Sequence, residues 1–309
     1  ILAKIETTPG TDSVPAGSDA VLVSDATFET VYENVERNIL RPTFGHSGML
    51  VGTRYVRAEF TCELFSGGAL GVAPAYGPLL RACAMAETVT TDTLVEYEPI
   101  SEDFETLTIK YSADGVIHTM LGCMGTVNIT MTEGERPTMR FSFVGIDGGP
   151  AAASAPTPAY TAWRTPQVVT AQNSDRLTIG GTYSAGVVSG GTEYCSRGLT
   201  FDIANDAKYI AMLCDGTGPD ITDRKPTGNF ELELSAAQEV SLRSDINANT
   251  KRTLALLHGS TEGNRVGIFV TNAMLTSPTY QDFEGRLLVG VTFNAEPITG
   301  DDEFVIYCR

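Results

Sequence analysis

Positive charge is scarce in this sequence. Its 309 residues contain 21 Lys and Arg against 38 Asp and Glu, which gives a formal net charge of −17. Proteins that wrap nucleic acid by neutralising its phosphates need clustered Lys and Arg, because these side chains release the bound counterions. The composition argues against that mode of binding, and we expect DNA to be repelled.

Long apolar runs are also absent. The longest, such as AVLV and RTLALL, are far shorter than the roughly 20 residues of a membrane-spanning helix. The first residues, ILAKIETTPGTD, lack the apolar core of a signal peptide. The sequence therefore predicts no membrane segment, and a cytosolic origin is the simplest interpretation.

The sequence has no clustered cysteines and histidines of the kind that bind metals. No CxxC pair occurs, and no His completes a zinc site beside any of the six cysteines, Cys62, Cys83, Cys123, Cys195, Cys214 and Cys308. Dispersed cysteines usually behave as small buried apolar residues, so we expect free thiols rather than disulfides. The histidines His46, His118 and His258 lie outside any recognisable nucleophile motif. We predict no metal, no cofactor and no catalytic residue.

Aromatic residues make up only 8% of the chain, with Trp163 as the single tryptophan. Carbohydrate clefts usually present aromatic platforms, so a glycosidase is disfavoured although paired carboxylates are plentiful. The segments GIDGG, SGGAL and SGGTE lack the pattern of a phosphate-binding loop. The acidic segment from Asp215 to Asp223 lacks the ligand spacing of a calcium loop, and we interpret it as a solvated turn. The sequence indicates a protein that is not an enzyme.

The residues that are abundant favour short strands joined by tight turns. Thirty-one Gly and 15 Pro accompany many Thr, Val and Ser. RYVRAEFTCEL alternates apolar and polar residues as a half-buried strand does, and in VNITMT the apolar face is Val127, Ile129 and Met131. Helices are predicted at YGPLLRACAMAETV and SAAQEVSLRSDIN. The prediction is a mainly β protein.

The chain is predicted to contain two domains after an N-terminal arm. Residues 1–45 are interpreted as an extended arm, because their turn-rich sequence can bury little; a short helix in TFETVYENVER is the alternative. The predicted domains span residues 46–147 and 167–309, and residues 148–166 form a Pro- and Ala-rich linker. The second half repeats the first half's elements at offsets of about 140 to 175 residues, which predicts tandem copies of one β-sandwich or barrel domain, each with a flanking helix.

Three segments in the two halves carry a resemblance to a known family: IETTPGTDSVPAGSDAVLV, YGPLLRACAMAETV and ITDRKPTGNFELEL. In this order they resemble the major tail proteins, or tail tube proteins, of long-tailed bacteriophages, and the similarity extends along nearly the whole chain. In that family β-sandwich domains close into rings whose inner sheets join as one barrel, and most members form hexamers. The duplication here therefore implies trimeric rings with pseudo-sixfold symmetry.

The resemblance implies a structural protein of the virion, assembled in the host cytoplasm, whose stacked rings form a hollow tail tube for DNA ejection. The implied partners are further copies of the chain, a tape measure protein, and the tail initiator or tip and tail terminator proteins. DNA passes through the lumen without specific binding. The alternative is a phage tail-tip, decoration or adhesin module that does not polymerise.

Two sets of residues are candidates for these contacts. Polar side chains on exposed strand faces would line the lumen, where carboxylates repel phosphates; these candidates are Glu59, Glu63, Asn128, Thr130, Glu231 and Glu233. That these carboxylates merely solubilise an exterior face remains the competing interpretation. Long, weakly patterned segments would reach the next ring; these candidates are Thr8, Pro9, Asp12, Asp92, Glu96, Glu98 and Glu102.

Overall fold

A computed structural model describes residues 1–213 and 217–309, most of which lie in antiparallel strands. The first half contains β1 (Leu2–Ile5), a 3-10 helix (Gly17–Asp19), β2 (Ser24–Glu36), β3 (Met49–Glu63), α1 (Gly77–Arg81), β4 (Met85–Thr90), β5 (Leu94–Pro99), β6 (Leu107–Ala113), β7 (Val116–Thr132) and β8 (Thr138–Ala152). The second half contains β9 (Leu177–Ile179), β10 (Thr182–Ser184), β11 (Val187–Ser189), β12 (Thr192–Asp202), β13 (Asn205–Ile210), β14 (Gly218–Arg224), β15 (Thr227–Glu233), α2 (Ala236–Asn247), β16 (Lys251–His258), β17 (Val266–Phe283), β18 (Arg286–Ala295) and β19 (Phe304–Cys308). The prediction of a mainly β fold is confirmed.

Within the described residues each half has one α-helix, as predicted, but the two helices differ in length. α2 begins at a capping box, in which the Ser235 side chain accepts a hydrogen bond from the backbone N–H of Gln238. α1 ends at Arg81, so the helix predicted over YGPLLRACAMAETV is too long. Ala84 adopts a positive φ of 58°, which ends the helical path, and the next residues pair as β4 with β5.

The two halves repeat one strand order. The first half contains the series β1-β6-β7-β8-β3-β2, and the second contains β9-β16-β17-β18-β15-β12. α1 lies between β3 and β6 in the chain, and α2 lies between β15 and β16. The second half therefore has the topology of the first.

The repeat extends to the register of individual residues. Directly opposed residues form a row across β2, β3, β8 and β7, and the same row crosses β12, β15, β18 and β17. The rows are Thr27, Glu59, Ser142 and Thr126 in the first half, and Thr200, Asn229, Thr292 and Thr276 in the second. In each half a bulge interrupts the first strand pair just before its row begins. These rows define which residues are counterparts.

The halves share a sheet and a core. β7 pairs with β12, and β5 pairs with the C-terminal strand β19, so strands of both halves belong to one 15-stranded sheet. Large buried side chains from both halves, such as Phe60 and Phe230, lie in the same hydrophobic cluster. The division at residues 46–147 and 167–309 remains a prediction.

Two parts of the predicted N-terminal arm are strands of the sheet. β1 pairs with β6, and β2 pairs with β3 in a long hairpin, so TFETVYENVER is a strand rather than an extended arm or a helix. Between them the buried Glu6 carboxylate accepts hydrogen bonds from the hydroxyls of Thr106 and Thr108 and from two backbone N–H groups. This buried carboxylate holds the turn-rich residues after β1 against β6 and β7.

Two further segments are more ordered than their sequences suggest. The segment TTDTLVEYEPISEDFET, which contains the predicted contact residues from Asp92 to Glu102, is weakly patterned in sequence but contains β5, where Val95 and Tyr97 are buried. In the predicted linker, Trp163 donates a hydrogen bond from Nε1 to the carbonyl of Ala20 at 2.8 Å and packs edge-on against Phe65. The tryptophan therefore packs against the first half of the chain.

Candidate assembly and channel surface

One face of the sheet is polar across both halves. Along β7, half-buried Thr126, Asn128 and Thr130 alternate with fully buried Val127 and Ile129. Opposed residues in antiparallel strands share a face, so the rows defined above continue this surface across both halves. We call it the polar face; its other side packs on the core.

The polar face brings the six predicted lumen residues together. Glu59 and Glu63 lie on β3, Glu231 and Glu233 on β15, and Asn128 and Thr130 on β7 between them in the strand order. Asn128 donates a hydrogen bond from Nδ2 to Asp202 on β12, at 3.2 Å. The alternation in the sequence predicted a solvent-facing side for each strand separately. In the sheet these sides form one continuous surface.

An arginine contacts each of the four carboxylates, which sequence reasoning missed. The N···O distances are 2.6 Å for Arg140–Glu59, 3.0 Å for Arg136–Glu63, 3.3 Å for Arg197–Glu231 and 3.1 Å for Arg286–Glu233. The hydrogen bond to Glu59 raises the pKa of Arg140. A signal was present, since the hairpin turns EGER and EGR each place an Arg within two residues after a Glu-Gly pair.

Strand edges form a second notable surface. Among the described strands, β2 pairs only with β3, and β17 beyond Thr276 pairs only with β18. Their counterparts β12 and β7 pair with each other, and there Phe201 and Ile129 are fully buried. At the open edges the counterpart of Phe201 is the half-buried Phe28, and that of Ile129 is Tyr280, which is 55% exposed.

The tip of the β2–β3 hairpin carries exposed apolar side chains. Leu40 and Phe44 in the tip are fully exposed, and Met49, Leu50 and Val51 at the start of β3 are more than half exposed. Such a concentration of apolar surface on a projecting hairpin is typical of an interaction site.

The seven candidates for inter-ring contact lie in two parts of the fold. Thr8, Pro9 and Asp12 follow β1, and Asp12 forms an ion pair with Lys110 at 2.7 Å. The others lie in or beside the β4–β5 hairpin: Asp92, Glu96, Glu98 and Glu102. Glu96 accepts a hydrogen bond from the Tyr183 hydroxyl, so that side chain already has a partner within the chain. Burial, and secondarily the charge of Glu96, raises the pKa of Glu98.

The described cysteines and histidines have ordinary structural surroundings. Four described cysteines are buried free thiols and Cys195 is an exposed one, while Cys214 and Asp215 lie outside the described residues. Neutral His258 donates from Nε2 to the carbonyl of Gln167 and accepts at Nδ1 from Ser174. Burial lowers the pKa of His258, against the opposing effect of the Gln167 carbonyl. Within residues 1–213 and 217–309, no three His, Cys, Asp or Glu side chains are grouped to hold a metal ion.

These features define a mainly β structural protein whose principal surfaces are a polar sheet face and two strand edges. A family model described as phage tail tube protein matches residues 1–304, so the chain belongs to the phage tail tube protein family. It is accordingly a structural component of a phage tail tube and thus of the virion. The curated proteins contain no match to the chain. No helix in the described part of the chain is long and apolar enough to cross a membrane.

Proposed function

We propose that three copies of this chain close into a ring, that rings stack into the hollow tail tube, and that phage DNA passes through it during ejection into the host. One observation carries the proposal: the two open strand edges are the counterparts of the two strands that already pair between the halves. The chain thus contains one finished copy of the junction that a ring needs.

The finished junction is the pairing of β12 with β7. Residues Gly198 to Asp202 lie opposite Thr132 to Asn128, and the N–H of Ile203 extends the ladder by donating to the carbonyl of Val127 at 3.1 Å. The paired backbones leave no free edge there, and Phe201 reaches the core. β2 and β17 have the same neighbours in their own halves but lack this partner among the described strands.

Pairing β2 of one copy with β17 of the next supplies the missing partner. The internal register, Thr200 opposite Thr130, then translates to Thr27 opposite Gln281 of the neighbouring copy. Unpaired edges invite uncontrolled association, whereas a closed ring leaves none open. Since each copy supplies two equivalent halves, three copies give six similar junctions, which agrees with the hexamers that single-domain tail tube proteins form.

In such a ring the polar face lines the lumen. The opposite side of the sheet packs on the core, so the polar face is the side that remains free for a water-filled channel. The lumen candidates Glu59, Glu63, Asn128, Thr130, Glu231 and Glu233 all belong to it. DNA would pass this lining without specific binding.

Stacking requires contacts that leave one ring and reach another. The exposed apolar tip of the β2–β3 hairpin, including Leu40 and Phe44, is the strongest candidate. The two polar segments near Asp12 and Asp92 supply further surface. A tape measure protein would occupy the growing lumen, and initiator and terminator proteins would bind the two ends of the stack.

Negative-stain electron microscopy of the purified chain, concentrated at moderate salt, tests the proposal. The expected result is hollow rings or tubes whose end-on averages have threefold or pseudo-sixfold symmetry. Uniform solid particles that never stack would contradict it, and would favour a tail-tip, decoration or adhesin module instead.

A further inference from the structure

We propose that the arginines on the polar face are masked by their glutamate partners, and that this masking keeps double-stranded DNA from adhering to the channel. The proposal rests on the proposed function, because it assumes that the polar face meets DNA. It goes beyond the proposed function, because it attributes the lack of DNA adhesion to charge pairing between side chains and not to a surplus of negative charge.

The polar face carries arginines, whereas a surface that acted only by repelling DNA would carry no cations. Each of the four glutamates on β3 and β15 has a guanidinium within 3.3 Å, so the carboxylates do not stand as free charges. The most exposed of these arginines are Arg140 and Arg286, with 69% and 68% of their side chains accessible. A channel that relied on repulsion alone would gain nothing from them.

Two of the pairs are repeated between the halves. Arg136 with Glu63 and Arg286 with Glu233 occupy counterpart positions, where β8 and β18 begin and β3 and β15 end. Most other polar-face positions differ between the halves; Arg140, for example, has Gly290 as its counterpart. The repetition identifies the paired charges as a feature that both halves require.

Stability does not explain the pairs. Their side chains are 39% to 68% exposed at the two counterpart sites, and exposed ion pairs contribute little to folding. A free guanidinium, by contrast, binds phosphate through two parallel hydrogen bonds and releases counterions from DNA. A guanidinium that is already paired with a carboxylate is not free to bind phosphate in this way, and the ion pair as a whole carries no net charge.

The surroundings of the pairs support a neutral lining. The polar residues between them are mainly threonines and asparagines, among them Asn128, Thr130, Thr200, Asn229 and Thr292. Arg197 is further restrained because its guanidinium lies 3.9 Å from the ring centroid of Phe283. Arg57 donates to the Tyr55 hydroxyl and lies opposite Glu29 in the ladder. DNA therefore meets mainly hydroxyls, amides and paired charges, together with the Asp202 carboxylate, which accepts a hydrogen bond from Asn128.

The test removes the masks and leaves the arginines. In the full chain, Glu63→Gln with Glu233→Gln frees Arg136 and Arg286, and a labelled DNA duplex reports binding by fluorescence anisotropy as salt is varied. We expect at least a tenfold gain in affinity over the unmodified chain at low salt. For two freed arginines, the log–log dependence on salt should have a slope of roughly −2.

Two matched variants isolate the cause. Asp114→Asn with Glu262→Gln changes the net charge equally at exposed positions outside the pairs, and should leave DNA binding unchanged. Adding Arg136→Gln and Arg286→Gln to the unmasked variant should abolish the gain. Glu59→Gln, which frees Arg140 alone, gives an independent second measurement of the same effect.

The masking proposal is overturned if the unmasked variant binds DNA no better than the unmodified chain, or if the control variant gains as much. Binding is measured on dispersed protein and, where tubes form, on tubes. If the unmasked variant gains affinity for DNA but the unmodified chain never forms rings, the ring proposal is refuted and the masking proposal stands. If tubes form but the unmasked variant gains no affinity, the masking proposal is refuted and the ring proposal stands.

Discussion

Phe201 of the second half lies directly opposite Ile129 of the first, and both side chains are fully buried where β12 pairs with β7. Their counterparts, Phe28 and Tyr280, lie on edges that are open among the described strands, and Tyr280 is more than half exposed. Among the described strands, the β12–β7 pair is therefore complete, whereas the counterpart edges of β2 and β17 have no partner.

The two phenylalanines should respond differently to truncation. Phe201→Ala removes a fully buried ring and should lower the free energy of unfolding by about 3–5 kcal/mol. Phe28→Ala should cost clearly less in the dispersed chain, where Phe28 is half-buried against Tyr111, but should weaken ring formation. Urea unfolding and analytical ultracentrifugation measure the two effects. Equal losses of stability with assembly unaffected would contradict the junction.

The hairpin tip should affect stacking without affecting the fold. Leu40→Ser with Phe44→Ser changes fully exposed side chains, so the free energy of unfolding should move by no more than about 0.5 kcal/mol. Micrographs should show rings but few or short tubes. Val240→Ser, at an exposed apolar position on α2, is the control and should leave tube length normal. Normal tubes from the tip variant would remove the hairpin from the contact.

Glu6 should be important for stability despite its position near the N-terminus. Glu6→Ala leaves two threonine hydroxyls and two backbone N–H groups without their acceptor, and should cost about 2–4 kcal/mol in unfolding free energy. Glu102→Ala, at an exposed carboxylate, should change it by no more than about 0.5 kcal/mol. Similar urea midpoints for both variants would show that residues 1–12 do form a loose arm.

His258 should give the fold a weak acid sensitivity. Burial lowers its pKa below the ordinary value of 6.5, so the unfolded chain binds a proton at this residue more readily than the folded chain does. The stability from neutral His258 is therefore complete above pH 6.5 and falls as the pH drops through the interval below it. His258→Gln should flatten the pH dependence of the unfolding free energy in that interval, whereas His46→Gln, at an exposed residue, should retain it.

The sequence predicted the strands and helices that carry a clear local signal, such as faces of different polarity or a capping motif. Residues 56–63 of β3 and residues 123–132 of β7 alternate strictly, and α2 has a capping box that marks its start. β2 was missed because both of its faces carry polar residues, so its sequence lacks the alternation that marks a half-buried strand. β5 was missed because the sequence of its hairpin partner β4 falls mostly within the segment predicted to be a helix, and because its other partner, β19, is about 200 residues away.

The candidate site was predictable only where it depends on local sequence. Period-two alternation located the carboxylates on β3 and β15, since it depends only on neighbouring residues. It could not supply Arg136 or Arg286 as partners, because an ion pair across strands depends on register. The register between two strands is determined by how their buried side chains pack in the core. The sequence of a single strand does not reveal that packing.

Disulfide trapping at the proposed junction is the most direct test of the central claim that three copies close a ring through β2 and β17. Thr27→Cys with Gln281→Cys, in a chain that also carries Cys195→Ser and Cys214→Ser, should form disulfides between copies on oxidation, because directly opposed residues have suitable Cβ separations. Non-reducing gels should show monomer, dimer and trimer, with the series ending at trimer. Thr27→Cys with Thr292→Cys, one strand further away, should remain monomeric. A series that continues past trimer, or no cross-link at the matched pair, would contradict the account.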